Sequence, residues 1–483
     1  MSESRHQLLT RGMFSVREIL KFTSLYLIIL LFLNGFRQIV TSFFPKADTG
    51  RLFFPISVGI IRIPEPILTR LANIHSVFLS DRLNEVASHS LHWGIAIISV
   101  FAFYMTYPKI TKNKENVLFI YVTLAFSIII SNSIQGIYQG FIYPLAGLRN
   151  GMKTHYYQDA ERFDSVLQFL SSFNSVQTDL YMHSPTHPPG AVMIYQLLQE
   201  IMLDPIFVGM IIMLVSLLSV YYIYNLLLAI YDKRVAFLIT LVFGFLPTIQ
   251  VYFYSSLDAL ILFFATGGFY YYYWWESERS TKHFILLIFN LIMLSMLNFM
   301  WVILPLIFAF HKLHTMESLS QPIKDGIKVA TPIILFFVII DLVFNFNYVE
   351  AFNTASGIVN NGGFYAFTNP VSYVFTRFEN VIEIFVFLGP FVTLLIYRGL
   401  REPSNDIVNF TWYMALAVLL VFIAGTPPTA ETARNMQYII PFLLLPVADY
   451  IYNKDIDYAS GGQLVFLLWI QTISMQLFGN FLW

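Results

Sequence analysis

The sequence predicts an all-α, polytopic integral membrane protein of about thirteen transmembrane helices, with amphipathic interfacial helices in its external loops. Two observations carry that prediction. Of 483 residues, 57% are hydrophobic and only 12% charged, and the apolar residues gather into runs close to the roughly 20 residues needed to cross a bilayer. Lys and Arg are also shared unequally between alternate connecting segments, as the positive-inside rule requires.

The runs fall near 19–41, 92–108, 116–133, 206–230, 235–252, 257–275, 284–297, 299–311, 327–345, 380–397, 407–424, 435–452 and 462–482. The pair 284–297 and 299–311 is short and reads as a tight hairpin about Asn298. With the N-terminus in the cytoplasm, the cytoplasmic segments hold 17 of the 28 Lys and Arg, and Arg434 is the one cation at a short outer loop. This topology places the long loops 43–91 and 134–205, the loop end at Asp258 and "TPPTAETAR" (426–434) outside the cytoplasm. The first run follows Arg5, Arg11, Arg17 and Lys21, with no small-residue cleavage site after it, so it is expected to be a retained span. "YYYYWW" (270–275) reads as an aromatic belt at headgroup level. In the long loops, Ile67, Leu71, Ile74 and Phe78 recur at helical spacing, as do Phe163, Val166, Leu167, Leu170 and Phe173. Both segments are predicted to lie on the membrane surface.

Composition excludes several functions. A net charge of −1 with no basic stripe gives no footprint for nucleic acid. The absence of cysteine rules out disulfides, thiolate metal sites and cysteine nucleophiles. No glycine-rich phosphate cradle is present, so no soluble nucleotide substrate is indicated.

The chemistry-bearing residues are few and lie almost entirely on the outer side. "HSPTHPPG" (183–190) spaces His183 and His187 four apart, but its prolines forbid the regular helix on which a two-histidine zinc site is built, and no glutamate lies between them. A proline-stiffened turn or one that presents imidazoles to a polar ligand both fit. Asp159, in "HYYQDAERFD", reads as the N-cap of the second amphipathic helix or as a carboxylate held there for proton transfer. Asp258 opens a span after Ser255 and Ser256 and reads as a cap or a ligand contact. Glu431 and Arg434 are spaced for a local salt bridge, and the guanidinium could alternatively take a phosphate bidentately. Asp341, near the outer end of its span, is the candidate that a transporter would use.

An acidic residue after an early span, an amphipathic helix and then "H…HPPG" resembles the GT-C glycosyltransferases. The resemblance is to the branch that includes protein O-mannosyltransferases and the lipid A aminoarabinose transferases. "SSLDALILFFATGGFYYYY" and "ETARNMQYIIPF" are similar to later elements of that branch, and the likeness covers roughly residues 116–452. Residues 1–115 would be N-terminal spans and a first external loop, 116–452 the catalytic core, and 453–483 a C-terminal span. The resemblance implies an enzyme that moves a sugar from a polyprenyl-phosphate donor to a hydroxyl on a lipid, glycan or protein, outside the cytoplasm and with inversion. It implies Asp159 as general base, with Asp48 of "FFPKADTG" as the alternative. His183, His187, Asp258, Glu431 and Arg434 would contact the donor, with no cofactor and no required divalent cation. The chain departs from the family pattern in two places: Asp159 follows the third run rather than the first, and Ala160 stands where the family has a second acidic residue. The reading from another class is a secondary transporter or lipid flippase.

Overall fold

A computed structural model of the chain describes residues 13–43, 79–112, 116–149, 152–254, 256–316, 320–360, 363–425 and 431–478. Asp48, Ser255, residues 426–430 and the amphipathic segment Ile67–Phe78 lie outside the described residues. The described chain is helical almost throughout; its one sheet pairs Leu148–Arg149 with Met152–Lys153.

Short polar side chains start the helices. Asn116, Asp204, Asp232, Ser256, Asn347 and Asn369 each accept a backbone N–H from the first turn that follows, because those N–H groups have no partner within the helix. Prolines subdivide what the sequence reads as single spans. The 235–252 run becomes Lys233–Phe245 and Pro247–Tyr252. The 380–397 run becomes Pro370–Leu388 and Pro390–Arg401, bent by 103°. Gly389 forms that corner with φ +85°, and a Cβ there would collide with the side chain of Gln471; only glycine satisfies both conditions.

Three helices are long and apolar enough to cross a membrane, Pro205–Ile230, Ser320–Phe344 and Asp406–Ile423, or four if the bent pair is one span. Thirteen spans is therefore more than helix length and hydropathy support among the described residues. The remaining runs are interrupted by proline and polar residues or fall below the length and hydropathy of a plain spanning helix. The Asn298 hairpin is corrected too. Thr281–Leu297 packs on Leu257–Glu278, whereas Ile303–Thr315 packs on Asn409–Ile423, so the two halves diverge instead of folding back on each other.

Lys233–Phe245 runs through the centre, with every side chain from Val235 to Phe245 buried. At the periphery, Ser320–Phe344 buries only Asp325 and Ile333, and shows Ile327, Ile334, Leu342 and Val343 on its surface. An apolar helix placed outside a partly polar core is the arrangement a bilayer stabilises.

The aromatic run 270–275 is split by the helical period. Tyr272 and Trp275 are buried in the protein, while Tyr270, Tyr271, Tyr273 and Trp274 are partly exposed, so a belt along the whole run is replaced by a core face and an outer face. Val166–Val176 also shifts its buried face from the expected one, to Phe169, Leu170 and Phe173, leaving Leu167 exposed.

Candidate functional site

The site is assembled from four segments distant in sequence. The first is His155 and the short helix Tyr156–Ala160. The second is the turn of "HSPTHPPG", a 3₁₀ segment Ser184–Thr186 followed by helix Gly190–Ile201. Pro185, Pro188 and Pro189 remove the backbone donors a regular α-helix would need, and a Cβ at Gly190 would strike the carbonyl of Met296, so the helix starts hard against its neighbour. The third is the start of Leu257–Glu278, and the fourth is the turn Glu431–Asn435.

Arg434 joins these segments. Its Nε lies 3.2 Å from Asp258 Oδ2 and its Nη2 2.5 Å from Glu431 Oε2. The expected local ion pair is present, extended by a long-range partner. Asp258 is free for that role because Ser256, not Asp258, caps the helix. Across the pocket, the Tyr156 hydroxyl and His187 Nδ1 are hydrogen-bonded at 3.0 Å. The rings of His155 and His183 stack at 5.9 Å, and those of Tyr156 and Tyr195 lie parallel at 6.0 Å. His155, Tyr156, His183, Tyr195, Asp258 and Arg434 line one pocket of about 30 Å³. That is room for a water molecule or two.

The turn that presents Glu431 and Arg434 is pinned from two helices. Glu383 accepts the Ala433 N–H at 3.1 Å and Asn380 accepts the Thr432 hydroxyl at 2.9 Å. From the other side, the Thr248 hydroxyl donates to the Ala433 carbonyl at 2.8 Å.

Burial dominates the electrostatics. It lowers the His155 pKa to about 3, helped by His183 and Arg434 nearby, and it lowers that of His187 against the pull of Asp258. Burial by itself would raise Glu431, but Arg434 and the two histidines outweigh it and hold the carboxyl below its usual range. The Tyr156 hydroxyl is pushed well up by burial and by Asp258. The pocket region thus combines His155 and His187, which burial disfavours as cations, with His183, the side chains of Glu431 and Asp258, and one guanidinium shared between the two acids. Both edges of the Arg434 fork in use face carboxylates. Bidentate phosphate binding by Arg434 would require displacing one of them.

Five of the six residues singled out in the sequence, His183, His187, Asp258, Glu431 and Arg434, therefore share one neighbourhood. Asp159 is placed differently. It is fully buried beneath the histidine turn and does not line the pocket. Its Oδ1 accepts from Arg162 at 2.7 Å, and its Oδ2 accepts from the Tyr181 N–H at 2.9 Å and the Ser184 hydroxyl at 2.6 Å. The expected cap role is corrected as well: Ser165 caps Val166–Val176. Asp159 ties helix Tyr156–Ala160 to the histidine turn, and neither of its oxygens is left without a donor.

Sequence reasoning passed over His155, Tyr156, Tyr195 and Glu383. His155 and Tyr156 sit inside "HYYQD", four and three residues before Asp159, which was a usable signal. Nothing local marks Tyr195 or Glu383.

Among the described residues, no group of three or more His, Asp and Glu is arranged to hold a metal ion. Asp341 has a partner, accepting from Asn347 Nδ2 at 3.3 Å. The chain matches no protein-family model, no curated protein and no solved structure.

Proposed function

We propose that this protein is a multi-span membrane glycosyltransferase of GT-C type, acting outside the cytoplasm on a polyprenyl-phosphate sugar. The convergence of His183, His187, Asp258, Glu431 and Arg434 beside the "HSPTHPPG" turn carries the proposal. Aromatic rings set against carboxylates suit a sugar, whose ring face is apolar and whose hydroxyls donate.

The general base moves from Asp159 to Asp258. Asp258 lines the pocket, and its Oδ2 is held by Arg434 and Ser256 while Oδ1 has no donor among the described residues. In the transfer, the acceptor oxygen attacks the anomeric carbon, its proton passes to Asp258, and the bond to the phosphate oxygen breaks with its electron pair leaving on the phosphate. Arg434 is the cation that lines the pocket, and meeting that charge would require it to exchange one of its two carboxylates for the phosphate. An apolar groove of about 370 Å³ along Ser320–Phe344, lined by Trp301, Ile334, Phe337 and Val338, suits the prenyl chain. It adjoins helix Tyr348–Val359, which packs on the Ser184–Thr186 turn. The pocket is closed in this state, so substrate entry requires its walls to separate.

Sugar transfer from a polyprenyl-phosphate donor, measured in membranes, tests the assignment. Asp258→Asn should lower transfer by about 10² or more, the scale of losing a general base. Transfer retained by Asp258→Asn removes this mechanism. Single cysteines at Ser171 and Ser280 should label from opposite sides of the membrane; same-side labelling would break the topology.

One observation favours the transporter reading. The sharply bent Pro370–Leu388/Pro390–Arg401 pair buries Glu379 and Glu383, and a broken span with buried acids is a transporter feature. Counter-transport of a solute by reconstituted protein that shows no transfer activity would support it.

A further inference from the structure

Helix Leu257–Glu278 carries Asp258 at one end; its other end opens into a second polar cavity, of about 420 Å³. The floor is aromatic and rigid. The Tyr272 ring lies parallel to Phe308 at 3.9 Å, its hydroxyl is hydrogen-bonded to His311 Nδ1 at 2.7 Å, and the His311 ring stacks on Phe410 at 4.6 Å. Tyr273 forms part of the wall, and the rim carries Glu276, Asn405 and Asp406.

The charges of this rim are asymmetric. Glu276 is held by Arg279 at 2.9 Å and by Lys312, and both cations also reach Asp325. These pairs lie behind the rim, and no Lys or Arg lines the cavity. Asp406, exposed at the start of helix Asp406–Ile423, has no ion pair among the described residues. With Glu276 already paired to two cations, an anion entering here would meet the carboxylate of Asp406 with no cation in the lining, whereas a cation would meet that carboxylate and aromatic walls. A neutral hydrocarbon would leave Asp406 without a counter-charge.

We infer that this cavity binds an organic ammonium group, primary or quaternary, with Asp406 as its counter-ion and Tyr272, Tyr273 and Phe410 as its walls. The ammonium could belong to the headgroup of a zwitterionic lipid or to a free amine; the recognition chemistry is the same. The inference does not depend on sugar transfer and is tested without measuring it.

The test is calorimetric titration of the purified full-length protein with choline, with its neutral carbon isostere 3,3-dimethyl-1-butanol, and with inorganic phosphate. Choline should bind saturably and the isostere at least about tenfold more weakly, since roughly 1.4 kcal/mol of charge recognition is one decade of affinity. Asp406→Asn, a change at an exposed position that preserves the fold, should weaken choline by about five- to tenfold. Choline affinity is then compared in nanodiscs of phosphatidylethanolamine and of phosphatidylglycerol. A fall only in the former assigns the site to a lipid headgroup, and equal affinity in both assigns it to a free amine; either outcome supports the cavity as an ammonium site. No saturable choline binding, equal binding of the isostere, competition by phosphate, or unchanged affinity in Asp406→Asn would each overturn it.

Discussion

The two ends of helix Leu257–Glu278, roughly 33 Å apart at 1.5 Å per residue, solve opposite problems. At the Asp258 end, one cation is buried between two carboxylates from different segments, and the space enclosed is about 30 Å³. At the Glu276 end, the ion pairs are withdrawn behind the rim and a cavity of about 420 Å³ stands open. Chemistry-bearing side chains are thus densest where room is least. A pocket whose charges satisfy one another closes on itself, whereas one whose ion pairs lie behind it can stay open.

Removing the shared cation should break the contrast most strongly. Arg434→Met leaves Asp258 and Glu431 facing each other with no counter-charge, at a cost of about 3–5 kcal/mol, the usual penalty for half of a buried ion pair. Arg279→Met, at a guanidinium that is 43% exposed, should cost well under a third of that. Thermal or denaturant unfolding of the two variants decides it, and equal losses would mean that the two ends are electrostatically alike.

The next effect concerns what lies beneath the Asp258 end. Asp159→Asn keeps the shape but removes the charge paired with Arg162 and turns one acceptor into a donor facing existing donors. It should destabilise by about 1–3 kcal/mol. Sugar transfer per folded molecule should stay near normal. A loss of transfer of about 10² without a stability change would return the base role to Asp159.

A smaller effect is a slope with pH. His155 is held neutral by burial, with its pKa lowered to about 3 from an ordinary 6.5. Between those values the unfolded chain binds more protons than the folded one, so folding stability rises with pH across this window and falls as pH drops below about 6.5. His155→Phe keeps a ring against His183 and should flatten that part of the unfolding profile. An unchanged slope would place the acid sensitivity elsewhere.

The smallest change is at the open end. Tyr272→Phe removes the hydroxyl bonded to His311 and keeps the stacked ring, so it should cost about 1 kcal/mol in unfolding. A loss of several kcal/mol would show that this end, too, depends on a tightly coupled polar core.

How much of this was legible beforehand differs by residue. The proline pattern of "HSPTHPPG" correctly ruled out an α-helix at His183 and His187, because ring closure acts on the backbone locally. The Glu431–Arg434 pair followed from helical spacing. The cap alternative failed for both Asp159 and Asp258, because Ser165, six residues after the first, and Ser256, two residues before the second, hold the free N–H groups of the helices that follow. The bend at Gly389 left only the dipeptide Gly389–Pro390 as its trace. The second cavity was invisible, its walls coming from residues 229–230, 272–277, 311 and 405–410.

The sequence by itself determined that the chain is helical and apolar, where prolines and short polar residues interrupt it, and which polar residues are too costly to bury without a purpose. Those are properties of one residue and its close neighbours. Only the tertiary structure decided that Arg434 takes Asp258 as well as Glu431, that Asp159 is spent on holding the histidine turn, and that the far end of the same helix is open. Each is a choice among partners scores to hundreds of residues apart, and that choice is made by packing, which no local pattern records.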